Sequence, residues 1–172
     1  MNLLHLLPEN WYSWRFRLER EGLTVAFLTV SSWREKGTIR IDEAKYEILR
    51  ASLEDSSLPR RGFVMRSLSG EYVAHAYRRS IWCRSLAFRY GTNEIEWTLD
   101  PVSIWKRRLL LREDKEEVGS ITPIDAWTRR AQAQLPDQMP LRVQVFALWL
   151  AALIWKRDSD AGAVAAVVAV GG

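Results

Sequence analysis

The chain has 172 residues, 48% of them hydrophobic and 27% charged, with nine tryptophans, one cysteine and a formal net charge of +4. This is a globular composition of a length that suits one domain. It excludes a disordered chain, a collagen-like chain and a disulfide framework, and its two histidines and single cysteine leave little with which to build a zinc site.

In chain order, Met1–Pro8 is apolar but short, lacks a basic flank and stops at a proline, so it does not read as a signal peptide. With one thiol, the expected location is the cytoplasm, with the inner membrane face as the place of any peripheral attachment. From about Trp11 to Thr122 the hydrophobic pattern has period two, the mark of half-buried strands. Trp14, Phe16 and Leu18 alternate with charged residues, and so do Ile95, Trp97 and Leu99 with polar ones. Turn signals at Glu21-Gly22, Asp42-Glu43, Ser69-Gly70 and Gly91-Thr92-Asn93 join these runs into antiparallel meanders. The pattern repeats. Gly22, Val25 and Ala26 are followed 48 residues later by Gly70, Val73 and Ala74, and a third half-unit ends at Val118-Gly119. Roughly ten strands follow, and closure into a barrel removes their exposed edges.

Beyond Thr122, Ile124–Gln134 is expected as a short helix with Asp125 as its cap. Leu141–Trp155 is apolar on every face, with Pro140 at its start and Lys156 and Arg157 at its end. Fifteen residues at about 1.5 Å each give roughly 22 Å, short of a bilayer core of about 30 Å. A buried central helix over about 141–156 is therefore expected within a single domain of residues 1–157. Ala161–Gly172, all Ala, Val and Gly, read as the body of a low-complexity tail from 158 to 172: a flexible end, an extra strand or a weakly membrane-seeking segment too short to span a bilayer.

A chain of repeated hairpins ending in one hydrophobic helix resembles the tubby C-terminal-like superfamily, which includes tubby domains, phospholipid scramblases and LURP-one-related proteins. The resemblance covers roughly residues 11–157. It rests on the turn-strand steps Gly22–Ala26 and Gly70–Ala74, on Glu117-Val118-Gly119 and on the helix Val143–Trp155. It implies a mainly β fold: a closed antiparallel barrel of about 10–12 strands around a buried C-terminal helix. It also implies a membrane-proximal, non-enzymatic role. The tubby lipid site does not align residue by residue, so no site is carried over. Asp158-Ser159-Asp160 lacks the glycine and the later Glu of a calcium loop, which tells against scramblase-like activity.

The positive charge sits in the middle of the chain. Residues 60–112 carry 11 basic and 4 acidic groups, and arginine outnumbers lysine 20 to 5 overall. Arg78, Arg79, Arg84 and Arg89 accompany Trp82; Lys106, Arg107 and Arg108 follow Trp105; Arg60 and Arg61 form a third pair. Guanidinium forks hold phosphate through paired hydrogen bonds, and Trp favours a membrane interface. These clusters are expected to converge on one barrel edge and hold an anionic ligand such as a phospholipid headgroup. An acidic protein surface is the alternative partner. Nucleic acid is disfavoured, because no helix-turn-helix or RNA-binding signature is present. A tail-anchored protein would need Leu141–Trp155 to leave the barrel. Trp97, Trp149 and Trp155 fit core positions, whereas Trp33, Trp82 and Trp105 lie among basic residues near turns. Catalysis is not expected. His75 and Cys83 lack a third orienting group, His75 takes the place of Phe27 in the repeat, and Glu94 and Glu96 read as exposed hairpin residues, with Arg89 facing one of them. No cofactor motif is present.

Overall fold

The structure, a computed structural model, describes residues 2–10, 12–31, 35–51, 62–79, 84–91, 95–102, 107–125 and 128–170; of residue 2 and residues 161–170 only the backbone is described. Among these residues twelve strands are followed by one helix. The strands are β1 (Asn2–Pro8), β2 (Arg15–Arg20), β3 (Leu23–Val30), β4 (Gly37–Ile41), β5 (Ala44–Arg50) and β6 (Phe63–Ser67), then β7 (Tyr72–Tyr77), β8 (Leu86–Tyr90), β9 (Trp97–Pro101), β10 (Leu109–Glu113), β11 (Glu116–Pro123) and β12 (Ala131–Leu135). The helix is α1 (Leu141–Val170). Each strand pairs antiparallel with the next, and β1 pairs with β12 to close the barrel. The period-two reading holds for Phe16, Leu18, Ile39, Ile48, Phe88, Trp97 and Leu99, which point inward and are buried, whereas Ile95, expected on the same face as Trp97 and Leu99, is exposed ahead of β9.

The threefold repeat has a structural basis. A β-bulge occurs at Leu18, Met65 and Leu111, where the partner strand carries one extra residue. Those extra residues are Val25, Val73 and Val118, each followed by Ala26, Ala74 or Gly119. A bulge turns two successive side chains toward one face and increases the local twist. The second inward position is small each time. A Cβ on Gly119 would lie 2.5 Å from the carbonyl oxygen of Gln134. Three tight, twist-increasing corners thus recur around the wall. At the β2–β3 turn both Glu21 and Gly22 have positive φ, at 53° and 78°, as a two-residue hairpin matched to that twist requires.

Two expectations are corrected, and one strand lies where none was expected. The central helix runs on to Val170, past its expected end at about residue 156. Ile124–Gln134 is not a helix: Ala131–Gln134 begin β12, and Asp125 accepts the Thr128 backbone N–H. Met1–Pro8, which carries no clean alternation, holds the closing strand β1, with Leu4 and Leu6 buried and Leu3 exposed. Strand pairing on both sides overrides the weak local pattern.

The helix α1 runs through the barrel, and Val143–Trp155 are buried on every side. Its entry is held by Gln144, whose amide donates to the carbonyls of Met139 at 2.8 Å and Pro136 at 3.1 Å and whose oxygen accepts from Arg20 at 3.1 Å. Trp97, Trp149 and Trp155 are core residues as expected. Trp149 donates its indole N–H to the Thr29 carbonyl at 2.9 Å, across the space that Gly37 leaves open. A Cβ at Gly37 would sit 1.9 Å from that indole nitrogen and 2.5 Å from Thr29 O. We therefore expect Gly37→Ala to cost about 3 kcal/mol, since neither the backbone nor the wedged indole can yield. A lowered urea midpoint at unchanged slope measures it; wild-type stability would show that the helix can shift in the barrel.

Candidate functional site

In an up-and-down barrel, alternate connections fall at opposite ends. The connections β2–β3, β4–β5, β6–β7, β8–β9, β10–β11 and β12–α1 share one end, the hairpin end, where α1 enters. The other six, longer on average, share the loop end, where α1 leaves. Arg79 and Glu96 meet on the outer wall and are set aside. Counted along the sequence, the six loop-end connections then hold 11 basic and 5 acidic residues and six of the nine tryptophans. The hairpin-end connections hold 1 basic and 7 acidic residues and no tryptophan. The described residues alone keep this bias, with seven cations against three carboxylates at the loop end and one against six at the other.

The expected site residues divide between this end and the wall. Lys106 lies outside the described residues, as do Arg60, Arg61, Trp33, Trp82, Cys83, Glu94 and Trp105. Arg78, Arg84 and Arg107 belong to the loop end, where α1 emerges among them. Arg84 pairs with Asp158 at 3.2 Å. Arg157 pairs with Glu35 at 2.7 Å, and Arg50 lies 3.7 Å from the same carboxylate. Arg78 feels both Arg157 and Glu35; burial first, then the Arg157 charge, pull its guanidinium below the ordinary value. Trp155 donates its indole N–H to the Arg107 carbonyl at 2.8 Å, which leaves the Arg107 side chain exposed. Nearby, the Arg129 guanidinium lies 4.3 Å from the Trp14 ring centre. Burial and then the Arg107 charge lower the Arg129 pKa.

Arg79, Arg89 and Arg108 lean on the wall. Arg108 lies 3.6 Å from Glu117. Arg79 and Arg89 both donate to Glu96, and Tyr77 donates its hydroxyl to the same carboxylate. The expected pairing of Arg89 with a glutamate across the Gly91 turn is thus met by Glu96. His75 is half-buried on the same face, bonded to the Tyr72 hydroxyl and stacked on Tyr77 at 5.9 Å. Burial lowers its pKa, Arg89 lowers it further, and Glu96 opposes them, so the ring is neutral at pH 7. An open groove of about 860 Å³ beside this network is lined by Arg79, Arg89 and Arg112 opposite Glu96 and Asp100. A larger concavity of about 1230 Å³ over β2–β5 carries mixed charge, and its Arg40 is stacked on Phe27 at 4.5 Å. The cations of this groove already face carboxylates, as Arg84 and Arg157 do at the loop end, whereas Arg107 there is exposed. The described residues contain no group of His, Cys, Asp and Glu able to hold a metal ion.

Sequence reasoning picked out Arg78, Arg84 and Arg107 but passed over Lys36, Arg129, Arg130 and Arg157, which share their end. The missing signal was strand parity: only a complete strand count, including β1 and β12, shows which connections lie together.

No family model matches the chain, and neither the curated proteins nor the solved structures show a detectable match to it.

Burial works against the charge of Glu96, but donation from Arg79, Tyr77 and Arg89 outweighs it and holds the carboxyl at about 2. An unfolded Glu titrates near 4.3, so this carboxylate stabilises the fold above that pH, and the contribution is lost as pH falls toward about 2. Both arginines are about half exposed, which limits the effect to about 1 kcal/mol. Glu96→Gln should lower stability by about that amount at pH 7, and the gap to wild type should close on acidification from about pH 4 to pH 2. Urea melts along a pH series measure it; a gap independent of pH would show that Glu96 acts by packing alone.

Proposed function

We propose that the protein is a non-enzymatic binding protein that docks on an anionic phospholipid surface through the loop end of its barrel. The supporting observation is the sorting of charge between the two ends: among the described residues, seven cations and three carboxylates at one, one cation and six carboxylates at the other. Such a molecule has a charge dipole along the barrel axis, and an anionic surface turns its loop end inward. At contact, guanidinium groups bond lipid phosphates in pairs, and indole rings suit the headgroup layer. Each basic residue near an anionic leaflet contributes on the order of 1 kcal/mol, falling off within a Debye length. Arg78, Arg84 and Arg107 are the described members of the expected set that face this way, and Arg108 begins at the same end. The resemblance to tubby-like proteins points in the same direction as a likeness of layout. No helix among the described residues is long and apolar enough to cross a membrane, in keeping with docking at the surface.

The test is flotation of the purified chain with vesicles, neutral against anionic, at two salt concentrations. Flotation with anionic vesicles alone, weakened by salt, is expected. Arg107→Glu combined with Arg108→Glu should cut it at least tenfold, whereas Lys115→Glu at the hairpin end should leave it unchanged. Failure of the wild type to float would overturn the lipid reading and favour an acidic protein partner.

A further inference from the structure

The helix does not stop where the barrel does. Side chains are buried from Val143 through Lys156, and by Asp160 they are exposed. The backbone remains helical to Val170. At about 1.5 Å per residue, the ten residues Ala161–Val170 extend the rod by roughly 15 Å beyond Asp160. They comprise only Ala, Gly and Val, with no charge and no side-chain hydrogen-bonding group.

Three observations bear on what this extension meets. It leaves through the loop end, the end with the surplus of cations. Its base is a collar of matched charges: Arg157 with Glu35, Arg84 with Asp158, and Lys156 with Asp160 at 2.5 Å. Its direction is held from inside, since the indole N–H groups of Trp149 and Trp155 bond the wall at Thr29 and Arg107. A rod of apolar residues above an ion-paired collar, on a basic face, has the order of layers of a bilayer leaflet: charged headgroups first, acyl chains beyond.

We infer that residues 161–170 insert into the acyl layer of one leaflet, as a short anchor along the barrel axis, while residues 143–156 stay in the barrel. Along the helix the backbone polar groups are satisfied internally, as the acyl layer requires, except for the last four carbonyls. A length of roughly 15 Å reaches about the middle of a core of about 30 Å and does not cross it. The inference rests on the lipid-docking reading above. It adds a hydrophobic contact to an electrostatic one, and the combination of two weak signals is what makes surface attachment lasting.

The test uses the full chain with Cys83→Ser and Val167→Cys, labelled at position 167 with an environment-sensitive fluorophore. Vesicles contain phosphatidylcholine with about one third phosphatidylserine, a strongly anionic surface, with or without spin-labelled acyl chains. A blue shift on vesicle addition, with quenching by spin labels deep in the leaflet, is expected. Val164→Asp with Val167→Asp in the unlabelled chain should weaken vesicle binding at least tenfold and leave the thermal midpoint unchanged. Salt-sensitive flotation with a water-exposed label and no effect of the aspartates would overturn the anchor and leave the docking surface standing. No flotation at all would overturn both. A blue shift without vesicles that grows with protein concentration would overturn the anchor in favour of a second copy of this chain.

Discussion

A wall of twelve strands encloses a lumen that its own inward side chains cannot close, since eight strands is roughly the size at which side chains alone fill a barrel. The helix α1 fills it. In turn, a helix apolar on every face has no stable place in water, and Val143–Trp155 find the wall on all sides. The rest of the structure depends on this mutual burial. Ala26, Ala74 and Gly119 keep the wall small where it bends, Gly37 leaves room for an indole, and Gln144 satisfies the carbonyls where the chain turns in. The two indole N–H bonds to Thr29 and Arg107 set the helix's rotation, which hydrophobic contact alone leaves free.

Because the helix enters at one end and leaves at the other, the barrel has a direction. The hairpin end is built of short turns, which need residues that tolerate positive φ and bear little side-chain bulk. Asp and Gly meet that need at Asp42, Gly22 and Gly70. The loop end has longer segments on average, and along the sequence those carry most of the basic residues that lie between strands. On the wall between the ends, Glu96 gathers Arg79, Arg89 and Tyr77 into one network, two guanidinium groups on a single carboxylate. That network stabilises the sheet; at the loop end Arg84 and Arg157 are likewise paired, and Arg107 is exposed.

Much of the fold was legible. Alternation exposed the strands from Arg15 to Pro123, and Val25-Ala26, Val73-Ala74 and Val118-Gly119 were legible as a recurring step, though not as the bulges they form. The apolar run from Leu141 marked the central helix. The two strands that close the barrel were hidden, because Leu3-Leu4-His5-Leu6-Leu7 does not alternate and Ala131–Leu135 is a mix of Ala and Gln with little strand preference. Each is a strand because the other is beside it. Of the arginines singled out, Arg89 was rightly given a cross-strand glutamate, but Arg79 sharing that glutamate depends on where a long side chain reaches, which spacing does not encode.

Local properties were thus settled by the chain itself: period-two strands, turn chemistry, a repeated turn-strand step, a helix without a polar face and a surplus of arginine. Only the tertiary structure decided which connections share an end, that the helix leaves through the basic one, and which cations face carboxylates. The reason is physical. Alternation and turn preference act within a few residues, whereas the side on which a connection falls depends on the parity of every strand before it and on the pairing of the first strand with the last.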